Sequence, residues 1–196
     1  MKLGEGLAKD MIDDYKKVLV GQYELNTDTD PLLEDEDIKE LAAKSLAQNP
    51  NAIEYGTGDA EIFDYYITDA NGLKSSAILK GSEFTIHYKV KFNNDIKAPI
   101  FTYKFKNIKG TEITGTNTMY EKAFLENVNK EEIKEVTFKQ TMSLQGGDYF
   151  LSIGCTGFEN DEFRAYHRLY DILHISVISD KNTVGYYDMF SKIEVK

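Results

Sequence analysis

The segment EFTIHYKVKF at positions 83–92 decides the fold class, because its side chains alternate strictly between polar and apolar. The apolar series is Phe84, Ile86, Tyr88, Val90 and Phe92. Successive side chains of a β-strand point to opposite faces, so a period of two predicts a strand with one face against a core. The polar series, which includes His87 and Lys89, predicts that the other face meets solvent.

The same alternation recurs through the second half of the chain. It is regular at 101–105, 136–144 and 149–155, weaker at 173–177, and further strands are predicted at 60–68, 112–118 and 184–195. Clusters of Gly, Asn, Asp and Ser separate these segments and predict turns. About eight short strands without long helices between them predict an all-β fold, an antiparallel β-sandwich of two sheets.

The first 54 residues show a helical pattern instead. Apolar residues recur at helical spacing from Leu7 to Leu19, which predicts an amphipathic helix within residues 1–23. Residues 24–54 predict an acidic linker that contains a second short helix at 36–48. We therefore expect two short N-terminal helices followed by one β-sandwich domain at 55–196.

Composition and charge limit the classes of partner. The chain has 196 residues, a formal net charge of -10 and a single cysteine, Cys155. An acidic chain is repelled by phosphate backbones and anionic membranes, so nucleic acid and lipid are not expected as partners. One cysteine allows no internal disulfide, which fits a reducing compartment, and no apolar run has the length of a membrane span or a signal-peptide core. These features predict a soluble, intracellular protein.

Motifs for nucleotide, metal or catalytic chemistry are absent or incomplete in the sequence. No phosphate-binding loop occurs, and LQGGD at 144–148, which looks like an ABC-transporter signature loop, lies between predicted strands where Gly-Gly-Asp makes a tight hairpin. The segment from Asn26 to Asp37 resembles a calcium loop, but Pro31 stands where that loop requires glycine. We therefore expect no cofactor, no metal and no catalytic residue. A pair of carboxylates acting as in glycosidases stays an open alternative.

Phe150 is the residue that points most clearly to a ligand. It is out of phase with the predicted buried set of its strand, so its ring is expected to face outward. Sugars bind proteins by stacking on aromatic side chains while polar groups take their hydroxyls. The candidate ligand-binding residues are Phe150, Thr102, Lys104, Ser152 and His174 on one outer face, with Tyr120 at its edge. Tyr166 and Tyr170, predicted in loops, extend this face, unless these tyrosines only fill edges of the fold.

Four separated segments resemble a known family. They are YGTGDAEI at 55–62, GTEITGTNT at 110–118, the spaced Leu, Gly, Tyr, Leu, Ile and Gly of 144–154, and Tyr-Asp at 170–171. In their order and spacing they resemble the Wzt C-terminal family, the C-terminal domain of the ATPase subunit of polysaccharide-exporting ABC transporters. The resemblance covers about residues 54–196. The helix predicted within 1–23 is similar to the tail of the nucleotide-binding domain that precedes this domain in the family.

The resemblance implies both a fold and a function. The fold is an immunoglobulin-like sandwich, and the function is non-catalytic binding of an exported polysaccharide such as an O-antigen or a cell-wall polymer. The implied partners are the ATPase and membrane subunits of the transporter and a second copy of the domain, at the cytoplasmic face of the cell membrane. The chain would then be a fragment that lacks the ATPase. The alternative is a structural dimerisation domain of the transporter ATPase that does not bind sugar.

Overall fold

A computed structural model describes residues 49–196, which form nine β-strands and no helix. The strands are β1 (Ile53–Tyr55), β2 (Ala60–Thr68), β3 (Ala77–Leu79), β4 (Glu83–Phe92), β5 (Ile100–Asn107), β6 (Glu112–Asn117), β7 (Ile133–Thr141), β8 (Gly147–Glu159) and β9 (Glu162–Ile178). The helices predicted within residues 1–23 and 36–48 lie outside the described residues. The all-β prediction is confirmed for the described part of the chain.

The strands form two sheets that pack as a sandwich. The larger sheet has the order β1-β9-β8-β5-β6, and the smaller sheet has the order β2-β4-β7. Strand β3 joins the larger sheet beside β9 in parallel, with Ala77 opposite Ser176, whereas the other pairings are antiparallel. The long strand β9 therefore pairs with β1 along its first half and with β3 along its second.

Strand prediction succeeded where the alternation of polar and apolar residues was regular. The predicted strands 60–68 and 83–92 coincide with β2 and β4. The strand predicted at 136–144 begins earlier, at Ile133, and ends at Thr141.

Three predictions of local structure are wrong. Residues 146–148 do not make a tight hairpin, because β7 and β8 belong to different sheets. The segment 184–195 alternates in sequence but forms no strand, because its one ladder contact is an isolated bridge between Tyr187 and Leu144. Tyr166 and Tyr170 lie in β9, not in loops. The alternation of β9 is hidden in the sequence because the strand bulges at Asp171, whose φ of 54° interrupts the extended backbone.

The core lies between the two sheets and is rich in aromatic rings. Tyr88 of β4 is fully buried, and its ring packs edge-on against Phe101 with ring centroids 6.4 Å apart. Its one hydroxyl proton is shared across the sandwich between the backbone oxygens of Thr102, at 3.3 Å, and of Gly154, at 3.4 Å. Burial raises the pKa of this phenol well above its usual value, so Tyr88 keeps the proton that it donates.

A buried histidine ties three strands together near the beginning of the described chain. The backbone N–H of Ile62 in β2 donates to Nδ1 of His167 in β9 at 2.7 Å. Because Nδ1 accepts a hydrogen bond, the neutral ring carries its proton on Nε2, which lies 2.8 Å from Glu54 of β1. This contact joins the edge strand β1 to both sheets.

We expect Phe105→Ala to destabilise the domain strongly. Phe105 is 1% exposed and packs against the rings of Phe84 and Tyr103, so truncation leaves a cavity between the sheets that costs about 3–5 kcal/mol. Phe124→Ala is the matched control, because Phe124 is 72% exposed. Urea unfolding followed by circular dichroism measures both values. Equal losses in the two variants would contradict the assignment of the core.

We also expect Cys155 to be chemically inert in the folded protein. Its side chain is buried, and burial raises the pKa of the thiol to about 12. The thiolate is the form that attacks disulfides, so a disulfide reagent at about pH 8 should react slowly with the native chain and quickly with the chain in guanidinium. Rapid modification of the native protein would show that the β8 strand opens readily.

Candidate ligand-binding face

The outer face is the side of β5, β8 and β9 that points away from the smaller sheet. Strand register brings most of the predicted site residues together on it. Phe150 lies between Lys106 and His174, and Lys104 lies opposite Ser152. One row further along, Gly154 lies between Thr102 and Arg168. Residues that are far apart in the sequence therefore form adjacent rows on one surface.

Phe150 and His174 form one end of the outer face. Their rings meet edge to face with centroids 5.7 Å apart, and both side chains are partly buried. Nε2 of His174 also lies 3.4 Å from Asp148. Phe150 therefore offers part of its ring to solvent, as its phase in the strand predicts.

Ser152 is on the outer face but its hydroxyl is already used. The side chain is only 5% exposed. Its hydroxyl accepts a hydrogen bond from the backbone N–H of Asp171 at 2.9 Å and donates to the Asp171 carboxylate at 3.1 Å. Ser152 therefore holds the bulge of β9 in place, and its hydroxyl proton is already used within the protein.

Thr102 and Tyr120 lie at the β6 side of the outer face. The Thr102 hydroxyl donates to the backbone oxygen of Thr116 at 3.1 Å. Tyr120 lies in the turn that follows β6, where its backbone N–H donates to Oδ1 of Asn117 at 2.8 Å. Its ring is 72% exposed. Of the six predicted residues, Tyr120 therefore offers the most accessible aromatic ring.

A stacked pair of tyrosines, which the list of predicted site residues did not include, lies on the same face. The rings of Tyr55 in β1 and Tyr170 in β9 are nearly parallel, with an interplanar angle of 13° and centroids 5.6 Å apart. Their hydroxyls lie 3.3 Å apart. The hydrogen bond to Tyr170 lowers the pKa of Tyr55, and the charge of Arg168 lowers it further, whereas burial raises the pKa of Tyr170. Either hydroxyl can donate the hydrogen bond between them.

Three cationic side chains surround the ring of Tyr170. The guanidinium carbon of Arg168 lies 5.0 Å from the ring centroid, and the ammonium groups of Lys104 and Lys106 each lie 5.3 Å from it. Lys104 forms an ion pair with Glu112, and Lys106 forms one with Asp171 at 3.1 Å. Cations within about 6 Å of an aromatic face are attracted to it, which keeps this group of side chains together.

A shallow depression adjoins this cluster. It has a volume of about 300 Å³, and its lining includes Thr102, Lys104, Glu112, Asn117, Tyr120 and Arg168. A larger cleft of about 590 Å³ runs between the β6 and β7 edges and is lined mainly by threonines with Tyr103, Phe138 and Gln140. The smaller depression adjoins both the exposed ring of Tyr120 and the cationic side chains around Tyr170.

The sequence held a signal for the residues that were missed. Arg168 and Tyr170 are two residues apart, and this spacing places them on one face of a strand. Extending the β9 prediction upstream of position 173 would have added both to the outer face. Tyr55 gave no comparable signal, because β1 has only three residues.

No metal site and no membrane-spanning helix is found between residues 49 and 196. No group of three or more His, Cys, Asp or Glu side chains there is arranged to hold a metal ion. The same residues include no helix with the length and apolar character needed to cross a membrane.

The two sheets and their packing define the class of the protein as an all-β sandwich domain. A family model described as the Wzt C-terminal domain matches residues 51–189. The chain therefore belongs to the Wzt C-terminal domain family, which confirms the resemblance seen in the sequence.

Solved structures agree on the fold. The crystal structure of the C-terminal domain of Wzt aligns with a TM-score of 0.72 at 22% identity, covering 84% of this chain and 100% of that chain. A Niemann-Pick type C2 protein from the Japanese carpenter ant aligns at a TM-score of 0.45 and 12% identity, covering 64% and 99% of the two chains, which is too distant to support an argument. A search of curated proteins found no significant match.

Family membership places the chain in the machinery of a polysaccharide-exporting ABC transporter. The Wzt C-terminal domain is a non-catalytic module of that transporter and belongs to its ATPase subunit. The family thereby implies association with the ATPase and with the membrane subunits.

Proposed function

We propose that the domain binds the polysaccharide that its transporter exports, and that the outer face of the larger sheet is the binding surface. The observation that carries this proposal is the Tyr55–Tyr170 stack, ringed by Arg168, Lys104 and Lys106 beside the depression. Aromatic rings receive the apolar faces of sugar rings, and cationic and amide groups receive their hydroxyls. Both kinds of group converge there.

The other predicted residues fit this proposal as the ends of one extended surface. Phe150 and His174 lie toward Lys106, and Tyr120 lies at the β6 side of the depression. A polymer that crosses the strands would meet an aromatic group at each end and the tyrosine pair beside its path. Ser152 acts in this proposal only through Asp171, because their hydrogen bonds shape the bulge.

The proposal includes the setting of the domain. We infer an immunoglobulin-like sandwich that works at the cytoplasmic face of the cell membrane, attached to the transporter through its ATPase. Polysaccharide that is made inside the cell reaches the transporter from that side. A binding face there would select the polymer before export without taking part in ATP hydrolysis.

We expect Tyr170→Ala and Phe150→Ala each to weaken binding of the source organism's surface polysaccharide several-fold. Loss of one aromatic contact costs about 1 kcal/mol or more. Titration calorimetry with the purified polysaccharide measures the affinity, and thermal unfolding checks that the variants fold.

Tyr66→Ala is the matched control for these two variants. Tyr66 stacks on His87 with centroids 4.7 Å apart and lies beneath the ammonium of Lys74, but on the outer surface of the smaller sheet. Its truncation should leave affinity unchanged, as should substitution of Lys89 or Lys139 on that sheet. Wild-type affinity in both Tyr170→Ala and Phe150→Ala would rule out the outer face as the binding surface.

A second candidate function is dimerisation through the C-terminal segment. Asp188 is anchored, because its buried carboxylate lies 2.9 Å from the buried ammonium of Lys80 and its backbone N–H donates to Ser143 at 2.8 Å. Beyond Phe190 the chain makes no hydrogen bond or ion pair with any residue from 49 to 196. Ile193 and Val195 are 84% and 92% exposed there, and a second copy of the chain would cover them.

We expect removal of residues 191–196 to convert a dimer into a monomer. Burial of two large aliphatic side chains per copy favours association by about 3–6 kcal/mol for each copy before the cost of ordering the segment. Sedimentation velocity measures the state of the full and shortened chains. Ile193→Asp should also convert the dimer into a monomer. Val184→Asp is the control and should leave the dimer intact, because Val184 is exposed but lies before the anchor at Asp188. A full chain that sediments as a monomer would contradict this candidate.

A further inference from the structure

The positive charge around Tyr170 is unusual for this protein. The whole chain has a formal net charge of -10. Around Tyr170, however, three cationic side chains meet two carboxylates, those of Glu112 and Asp171, which leaves a local charge of +1. Acidic proteins that concentrate positive charge at one concave surface attract anions to that surface.

Arg168 supplies this excess charge, because no carboxylate between residues 49 and 196 forms an ion pair with it. Its polar contact is a long one, 3.5 Å from Nη1 to the Tyr55 hydroxyl, and its guanidinium lies over the Tyr170 ring. Arg164 has the opposite character, since it pairs with Glu159 and with Glu162, each at 3.3 Å. A guanidinium has five N–H donors, so most donors of Arg168 have no acceptor among residues 49–196.

Arg168 lies opposite Gly154 on the outer face. Gly154 is its partner on β8, and a Cβ at that position would lie 3.4 Å from Cγ and 3.5 Å from Nε of Arg168. The same Cβ would lie 3.0 Å from the methyl group of Thr102, on the far side of β8. A Cβ there would crowd Thr102 but would only make ordinary van der Waals contact with Arg168, whose side chain lines the depression.

We propose that Arg168, with Lys104 beside it, binds an oxyanion carried by the exported polysaccharide. This inference rests on the proposed glycan-binding function and adds the chemical class of the ligand. Arginine binds a carboxylate or a phosphate through two parallel N–H···O bonds. Two oxygens of either group match the spacing of two N–H donors of the planar guanidinium. The oxyanion is therefore either the carboxylate of an acidic sugar or a phosphodiester, while the tyrosine pair receives the adjoining sugar ring.

The test uses three forms of the source organism's surface polysaccharide with the full chain. One form is native, one has its carboxylates chemically reduced to alcohols, and one is dephosphorylated with hydrofluoric acid. We expect binding of the native form to weaken about tenfold in Arg168→Gln, as expected for loss of a charge-assisted contact. The wild-type chain should bind one of the two treated forms about tenfold more weakly than it binds the native form. Arg168→Gln should bind that treated form as strongly as the wild type does. That form identifies the oxyanion.

Arg164→Gln is the matched control, because it removes the same charge from the same strand. It should bind the native polysaccharide as the wild type does. Arg168→Lys keeps the charge but not the fork, so it should recover only part of the affinity.

The outcomes separate the two proposals. Equal binding of all three forms, with Arg168→Gln as strong as the wild type, would overturn the oxyanion site and leave glycan binding intact. A loss in Arg168→Gln that is equal for all three forms would show that Arg168 only supports the tyrosine pair, and would also overturn it. Failure of the wild-type chain to bind any form would instead overturn the proposed function, and the oxyanion site with it.

Discussion

The structure depends on one hydroxyl group that crosses the core, that of Tyr88. Its ring belongs to the smaller sheet, yet its O–H bonds to backbone oxygens of β5 and β8 in the larger sheet. A buried phenol without an acceptor would cost about 1–3 kcal/mol, so the two sheets must keep the spacing that satisfies it. The two oxygens belong to Thr102 and Gly154, and these two residues are neighbours in one row of the outer face. The contact that fixes the core therefore also fixes the row of residues in which Arg168 lies.

The bulge of β9 is the second constraint. From Leu151 to Ile153 strand β8 advances two residues, while from Leu173 to Leu169 strand β9 advances four. The additional residues fold outward at Asp171, where the Ser152 hydroxyl and the Lys106 ammonium bind the carboxylate. The bulge separates the Phe150–His174 end of the face from the tyrosine pair. It creates two neighbouring groups of aromatic residues on one sheet, with a partly buried polar network between them.

The sequence predicted the sheets well and the site only in part, for a physical reason. Alternation records which side of a strand is buried, so it located β2 and β4 to the residue and placed Phe150 on the outer face. It carries no information on which strands are neighbours, and it fails where a bulge adds residues. For that reason Arg168 was not recognised as a companion of Lys104, and Tyr170 was assigned to a loop at the edge of the face, although each is visible in the sequence. The hydrogen bonds that occupy Ser152 depend on the same bulge and have no signature in a single strand. The apparent strand at 184–195 shows the converse error, since alternation alone supplies no pairing partner.

The two candidate functions of the domain are connected through strand β6. The C-terminal segment is fastened to that strand, because the Tyr187 hydroxyl donates to the backbone oxygen of Ile113 at 2.6 Å. Ile113 and its neighbours Glu112 and Thr114 also line the depression beside Arg168. Glu112 is the partner of Lys104, so a displacement of β6 would change how much positive charge the depression presents. An association that pulls on the C-terminal segment would act on the edge of the proposed binding face. The proposed dimerisation and the proposed ligand binding are therefore compatible, because the C-terminal segment and the proposed binding face share one edge strand, β6.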